Sequence, residues 1–158
     1  MTAQDLPEHA NDLVLTRLLD IPADRLYRCW TEPALIQQWF APSPWSVSRV
    51  DNDVRPGGHS LIVMRSPEGQ EMPGSGVYLE VIPNRRLVFT DAFTQGWVPA
   101  DKPFMTGIVS FDPEGAQTRY TARVRHWSAA DRAQHEAMGF HTGWGQCTDQ
   151  LAKLAARL

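Results

Sequence analysis

The chain has 158 residues, 42% of them hydrophobic, which suits one domain with its own core. A net charge of −3 excludes the broad basic footprint of a nucleic-acid or anionic-membrane binder. No apolar run approaches the ~20 residues of a membrane span. The polar stretch 1–11 has no signal-peptide core and reads as a flexible tail ahead of a single domain over 12–158. Cys29 and Cys147 lack metal-ligand spacing and read as reduced thiols of a cytoplasmic protein.

Residues 13–19 form a short strand-like run that ends at Asp20. Ile21-Pro22-Ala23-Asp24 breaks it and opens a helix on which Leu26, Tyr27 and Trp30 recur at helical spacing. Thr31-Glu32-Pro33 ends that helix and starts another, since proline suits a first helical turn. Leu35, Ile36, Trp39 and Phe40 make its apolar side, and Ala41-Pro42-Ser43-Pro44 stops it. The chain then alternates strands and turns: 46–54, 59–65, 74–82, 87–93, 104–111 and 118–127, with one longer loop at 94–103. Strands with no helices between them predict an antiparallel meander. In the last strand Thr118, Tyr120, Ala122, Val124 and His126 share an inward face. Arg119, Arg123 and Arg125 share the other, expected to be solvated.

The C-terminal stretch 129–158 predicts one long helix. Ala133, Ala137, Phe140, Trp144, Cys147, Leu151, Leu154 and Leu158 fall on a single stripe. Asp131, His135, Gln146, Asp149, Lys153 and Arg157 fall opposite. Ser128 is the expected N-cap. Gly139, Gly143 and Gly145 leave the helix thin around Trp144. The expected fold class is therefore α+β. A curved seven-stranded antiparallel sheet wraps around a long C-terminal helix, with two short helices after the first strand. A cavity is expected between sheet and helix.

Several separated segments resemble one family in order. Tyr27-Arg28-Cys29-Trp30-Thr31-Glu32-Pro33 and Trp39-Phe40-Ala41-Pro42 resemble its helix pair. Asp53-Val54-Arg55-Pro56-Gly57-Gly58 resembles its first hairpin. Gly76-Val77-Tyr78-Leu79-Glu80-Val81-Ile82-Pro83, with Arg86-Leu87-Val88-Phe89-Thr90, resembles its central hairpin. Met138-Gly139-Phe140 and Gly143-Trp144 resemble its helix signature. The family is the Aha-like group, homologues of the activator of the heat-shock chaperone ATPase, in the START-like, polyketide-cyclase-like (SRPBCC) superfamily. The resemblance covers about 12–158 and implies the helix-grip fold. That fold hosts lipid carriers, cyclases, hormone receptors and co-chaperones, so function rests on the site.

A small apolar or aromatic ligand is expected between sheet and helix, against Trp39, Phe40, Tyr78, Trp97, Phe104, Tyr120, His126, Phe140, His141 and Trp144. Trp97, between Gly96 and Pro99, is expected to gate the mouth. The alternatives are a cyclase- or hydrolase-like enzyme in the same cavity, or a co-chaperone-type interaction module with a chaperone partner; a homodimer is a further expectation. The acid/base candidates are Glu80, His126 and His141. Glu80 either faces the cavity with Tyr78 or pairs with an arginine such as Arg65 or Arg86. No metal, cofactor or nucleic acid is expected.

Overall fold

The computed structural model describes residues 6–158, so residues 1–5 of the expected 1–11 tail lie outside the described residues. Residues just after it are held. Arg125 Nη2 donates to the Pro7 carbonyl at 2.7 Å, and the His9 amide donates to Asp12 Oδ2 at 3.2 Å.

The first strand, β1 (Asp12–Leu19), leads into α1 (Ala23–Thr31) and α2 (Pro33–Ile36). Ala23, Leu26, Cys29 and Trp30 recur on one side of α1 and are all buried there. Pro33 accounts for both ends of the break. It holds Glu32 in extended backbone (φ −84, ψ 122), which stops α1, and it then occupies the first turn of α2.

Six more long strands follow: β2 (Ser46–Asn52), β3 (His59–Arg65), β4 (Glu71–Ile82), β5 (Arg86–Thr90), β8 (Met105–Glu114) and β9 (Gln117–His126). Between β5 and β8 the expected loop carries a small ribbon, β6 (Phe93–Thr94) with β7 (Val98–Pro99). The seven long strands form one antiparallel sheet in the order β1-β9-β8-β5-β4-β3-β2. The meander thus closes by placing the first strand beside the last. Sheet curvature, the two short helices and the C-terminal helix together make the helix-grip fold. No helix among the described residues is long and apolar enough to cross a membrane.

The alternation in β9 is followed closely. Thr118, Tyr120, Ala122, Val124 and His126 are all buried. The arginine row differs from its expected solvated state. Arg123 Nη1 and Arg125 Nε reach Asp12 at 2.9 and 2.8 Å, and the Asp12 side chain is only 4% exposed. Burial alone would raise the Asp12 carboxyl. The hydrogen bonds from Arg125 and Arg123, and the charge of Arg125, outweigh it and hold that carboxyl below its ordinary range.

The C-terminal helix is divided. It runs as α3 (Ala129–Ala137) and α4 (Phe140–Ala155), separated at Gly139 in the left-handed region (φ 94). Ser128 caps α3, its Oγ accepting from the Asp131 amide at 3.1 Å. The expected stripe continues on α4, where Phe140, Leu151 and Leu154 are buried and Trp144, Cys147 and Leu158 pack against the core. It fails on α3, where Ala133 and Ala137 are exposed. The break rotates α3 so that Arg132 and His135 turn inward, Arg132 Nε donating to the Asp12 carbonyl at 2.9 Å.

The core joins α1 and α4 to β1, β5, β8 and β9, with Leu26, Cys29, Leu87, Val109, Phe111, Ala122, Val124 and Leu151 all but sealed from solvent. Gly107 shapes its edge toward the aromatic side chains. On β8 it lies opposite Phe89, whose ring occupies the space a side chain at 107 would take. Phe89 in turn rests on Trp30 at 5.7 Å. Gly107→Ala should therefore force that ring out of place and cost about 1–3 kcal/mol, as overpacking does. Urea unfolding checks this; a loss under about 0.5 kcal/mol would mean the ring moves freely.

Candidate functional site

Three aromatic side chains from the helical pair begin the site. Trp30 of α1 meets Trp39 at 5.0 Å and Phe40 at 5.8 Å, and these two lie 5.3 Å apart just beyond α2. Both indole N–H groups are satisfied internally. Trp39 Nε1 donates to the Cys29 carbonyl at 2.8 Å, and Trp30 Nε1 donates to the Tyr120 hydroxyl at 3.1 Å. The rings therefore offer apolar surface without a polar debt.

A glutamine fixes this aromatic wall to α4. Gln150 Nε2 donates to the carbonyls of Trp39 and Ala41 at 2.9 and 2.8 Å, and its Oε1 accepts from the Ser43 amide at 3.1 Å. One turn earlier, Gln146 Nε2 donates to the Ser43 carbonyl at 3.0 Å. The segment that stops α2 thus has its backbone groups paired by one face of α4.

Between these parts lies a cavity of about 380 Å³. Its helical wall is Phe140, Gly143, Trp144, Cys147 and Thr148 of α4, with the Phe140 and Trp144 rings at 5.3 Å and tilted by 31°. The opposite wall is Trp30, Trp39, Phe40 and Pro42, and the sheet gives Met64, Met105 and Tyr120. His135, Met138 and Gly139 close the end where the helix divides. The surface is almost wholly apolar. Thr148 Oγ1 is committed to the Trp144 carbonyl at 2.7 Å, and burial pushes the Cys147 thiol up to about 11, so it is neutral and unreactive near neutral pH. Burial likewise raises the Tyr120 phenol well above its ordinary value.

The expected residues divide by place. Trp39, Phe40, Tyr120, Phe140 and Trp144 line this cavity. Tyr78 does not. It borders a separate void of about 30 Å³, together with Trp30, Phe40 and Phe89, and its hydroxyl accepts from Asn52 Nδ2 at 3.2 Å. Trp97 also stands elsewhere. It is 55% exposed on the β6–β7 ribbon, meeting Phe93 edge to face at 5.7 Å and laid against the turn at Gly57. The expected gate is thus a corner of the ribbon, because Trp97 itself takes a positive φ of 62.

The acid/base candidates separate as well. A register shift between Tyr78 and Glu80 leaves Leu79 unpaired and sets Glu80 beside Val88, off the Tyr78–Phe89 face. Glu80 is bound to Arg86, Nε to Oε1 at 2.6 Å. His141 is on the outer side of α4, its side chain 58% exposed and 3.7 Å from Glu136. His126 is buried behind the cavity. Its Nδ1 meets the Phe104 carbonyl at 2.8 Å and its Nε2 meets His135 Nδ1 at 3.0 Å. Phe104 lies against both rings, at 4.7 and 5.1 Å. Among the described residues no group of three or more His, Cys, Asp or Glu side chains converges as a metal site.

Unbroken helical spacing puts His135 on the outer side of the helix, whereas the ring lines the cavity. Gly139, read as a helix stop rather than as a tolerated glycine, is the signal that would have turned it inward.

A wider depression, about 560 Å³, lies on the opposite sheet face among Asp12, Thr16, Asp112, Arg119, Thr121 and Arg123. Its charges are largely engaged with one another. Asp12 holds Arg123 and Arg125, and Arg119 holds Glu114 at 2.9 Å. The smaller apolar cavity is the better ligand site on chemistry, despite its volume.

Burial, with the adjacent His126 adding to it, pushes His135 down to about 4 from an ordinary 6.5. Glu136, the next residue on α3, is turned to Arg132 and His141 at 3.6 and 3.7 Å. A base that binds its proton more weakly when folded favours the unfolded chain in acid. The fold keeps its full stability above pH 6.5 and loses this contribution as pH falls from 6.5 toward 4. Discounted for the ring's partial exposure, the loss is about 1–2 kcal/mol. His135→Phe should narrow the difference in urea stability between pH 7.5 and 4.5 by that amount. An identical pH dependence in both proteins would mean the ring titrates as in a free chain.

Comparisons with known proteins agree with this architecture. The family model described as activator of Hsp90 ATPase homolog 1-like protein matches residues 20–156. Protein NE0264 from Nitrosomonas europaea is 42% identical, with 95% of this chain and 97% of that chain covered and a TM-score of 0.91. Protein CV1439 from Chromobacterium violaceum is 26% identical, with 93% and 98% covered and a TM-score of 0.75. Ms6760 from Mycobacterium smegmatis is 25% identical, with 90% and 89% covered and a TM-score of 0.76. No curated protein matches the chain. With the family model spanning most of the chain, the chain belongs to the activator of Hsp90 ATPase homolog 1-like family, with its START-like, polyketide-cyclase-like fold.

Proposed function

We propose that this protein binds a small hydrophobic or aromatic molecule in the cavity between α4 and the sheet. The observation that carries the reading is the cavity itself. A volume of about 380 Å³ is walled by Trp30, Trp39, Phe40, Phe140 and Trp144, with few polar groups. Ligand pockets commonly span ~300–1,000 Å³ and have this composition: apolar walls and a small number of placed polar groups. The family's fold is consistent with such a role. Binding rather than turnover is favoured because Glu80 is tied to Arg86 and His141 faces outward.

Gly143 gives a clean test. It lines the cavity, and a Cβ built there meets nothing within 4 Å. Gly143→Leu should fill part of the volume, its Cβ entering open space, and favour the helix by about 0.5–1 kcal/mol. Titration with the fluorescent apolar probe N-phenyl-1-naphthylamine should show binding to the parent protein. The variant should bind at least about tenfold more weakly with an unchanged or raised thermal midpoint. Equal affinity in a folded Gly143→Leu protein would place the probe elsewhere and remove the support for this reading.

A further inference from the structure

His126 and His135 form a directional chain that ends at the cavity. The Phe104 carbonyl can only accept, so the His126 Nδ1 that meets it at 2.8 Å carries a proton. In neutral His126 the Nε2 is then an acceptor. The His135 Nδ1 facing it at 3.0 Å must therefore be the donor. Any other neutral assignment sets lone pair against lone pair in this chain. In neutral His135 the remaining nitrogen, Nε2, is left with a lone pair, and among the described residues no hydrogen bond is made to it. The ring is held on both sides, by Phe104 at 5.1 Å and Phe140 at 5.2 Å, and it lines the cavity. Its lowered proton affinity, caused first by burial and then by His126, keeps it an acceptor at neutral pH.

From this geometry we infer that His135 Nε2 is the specificity-determining acceptor of the cavity, selecting ligands that carry a hydroxyl or N–H donor on an apolar or aromatic body. The inference rests on the cavity-binding reading and names the chemical class it selects. The Phe104 carbonyl and His126 act as positioning groups: they fix the tautomer of His135 and do not touch the ligand. A polar acceptor in an otherwise apolar pocket discriminates strongly, because an analogue without the donor leaves it unpaired.

The test compares 2-naphthol with its methyl ether, 2-methoxynaphthalene, by calorimetric or fluorescence titration at pH 7.5. The two share an aromatic body and differ in the donor. The parent protein should bind the naphthol about tenfold more tightly than the ether, as one net hydrogen bond gives. His135→Phe keeps an aromatic ring between Phe104 and Phe140 and should bind the two within about twofold. Equal binding of both probes by the parent protein overturns the inference and leaves the cavity reading standing. So does a preference that survives in His135→Phe. Binding of neither probe overturns both. Should the variant fail to fold, two-bond 1H–15N correlation spectra of the parent protein decide the matter: Nδ1-protonated His135 and His126 are expected, and an Nε2-protonated His135 contradicts the inference.

Discussion

The left-handed backbone at Gly139 (φ 94) is the constraint on which the site depends. Side chains in that region cost about 1–2 kcal/mol per residue, which glycine does not incur. Nothing lies within 4 Å of a Cβ built there, so the requirement is one of backbone angle and not of space. A continuous helix would have carried Ala133 and Ala137 onto the stripe of Phe140 and Leu151. The break instead presents His135 and Arg132, which bind His126 and the Asp12 carbonyl. A polar end wall therefore meets an apolar pocket at the point where the two helices part.

The two halves of the C-terminal element are held by different forces. α4 is anchored by Leu151, Leu154 and Ala155 in the core and by Gln146 and Gln150 on the backbone of the 39–43 segment. α3 has no buried residue and depends on its Ser128 cap and a few polar contacts. Loss of the tie to His126 would thus be felt first by α3, while the aromatic wall of Trp30, Trp39 and Phe40 keeps its internal hydrogen bonds. The cavity has one rigid side and one lightly held side, and three methionines, Met64, Met105 and Met138, line it between them.

Much of this fold was legible from residue order. Pro33 gave the division of the helical pair because its ring constrains the residue before it. The parity of β9 gave the core face, since side chains alternate strictly while pairing is regular. Parity failed in β4, where the register shift at Leu79 comes from pairing with β5 and turns Glu80 away from Tyr78's face. Helical spacing failed at Gly139 for a related reason: it assumes one unbroken axis. Trp97 was misplaced because its loop folds into a ribbon whose turn needs positive φ at both Gly96 and Trp97. His135 went unrecognised as a pocket residue because its position depends on that helix break, and its chemistry depends on a partner nine residues away on a strand.

Methionine methyl NMR tests the central claim most directly. Of the five methionines, Met64, Met105 and Met138 line the cavity, whereas Met72 is exposed on β4 and does not line it. Titration of 13C-methyl-methionine protein with naphthalene should shift the Met64, Met105 and Met138 signals together and leave Met72 in place. A shift confined to Met72, or no shift at saturating naphthalene, would contradict a ligand site between α4 and the sheet.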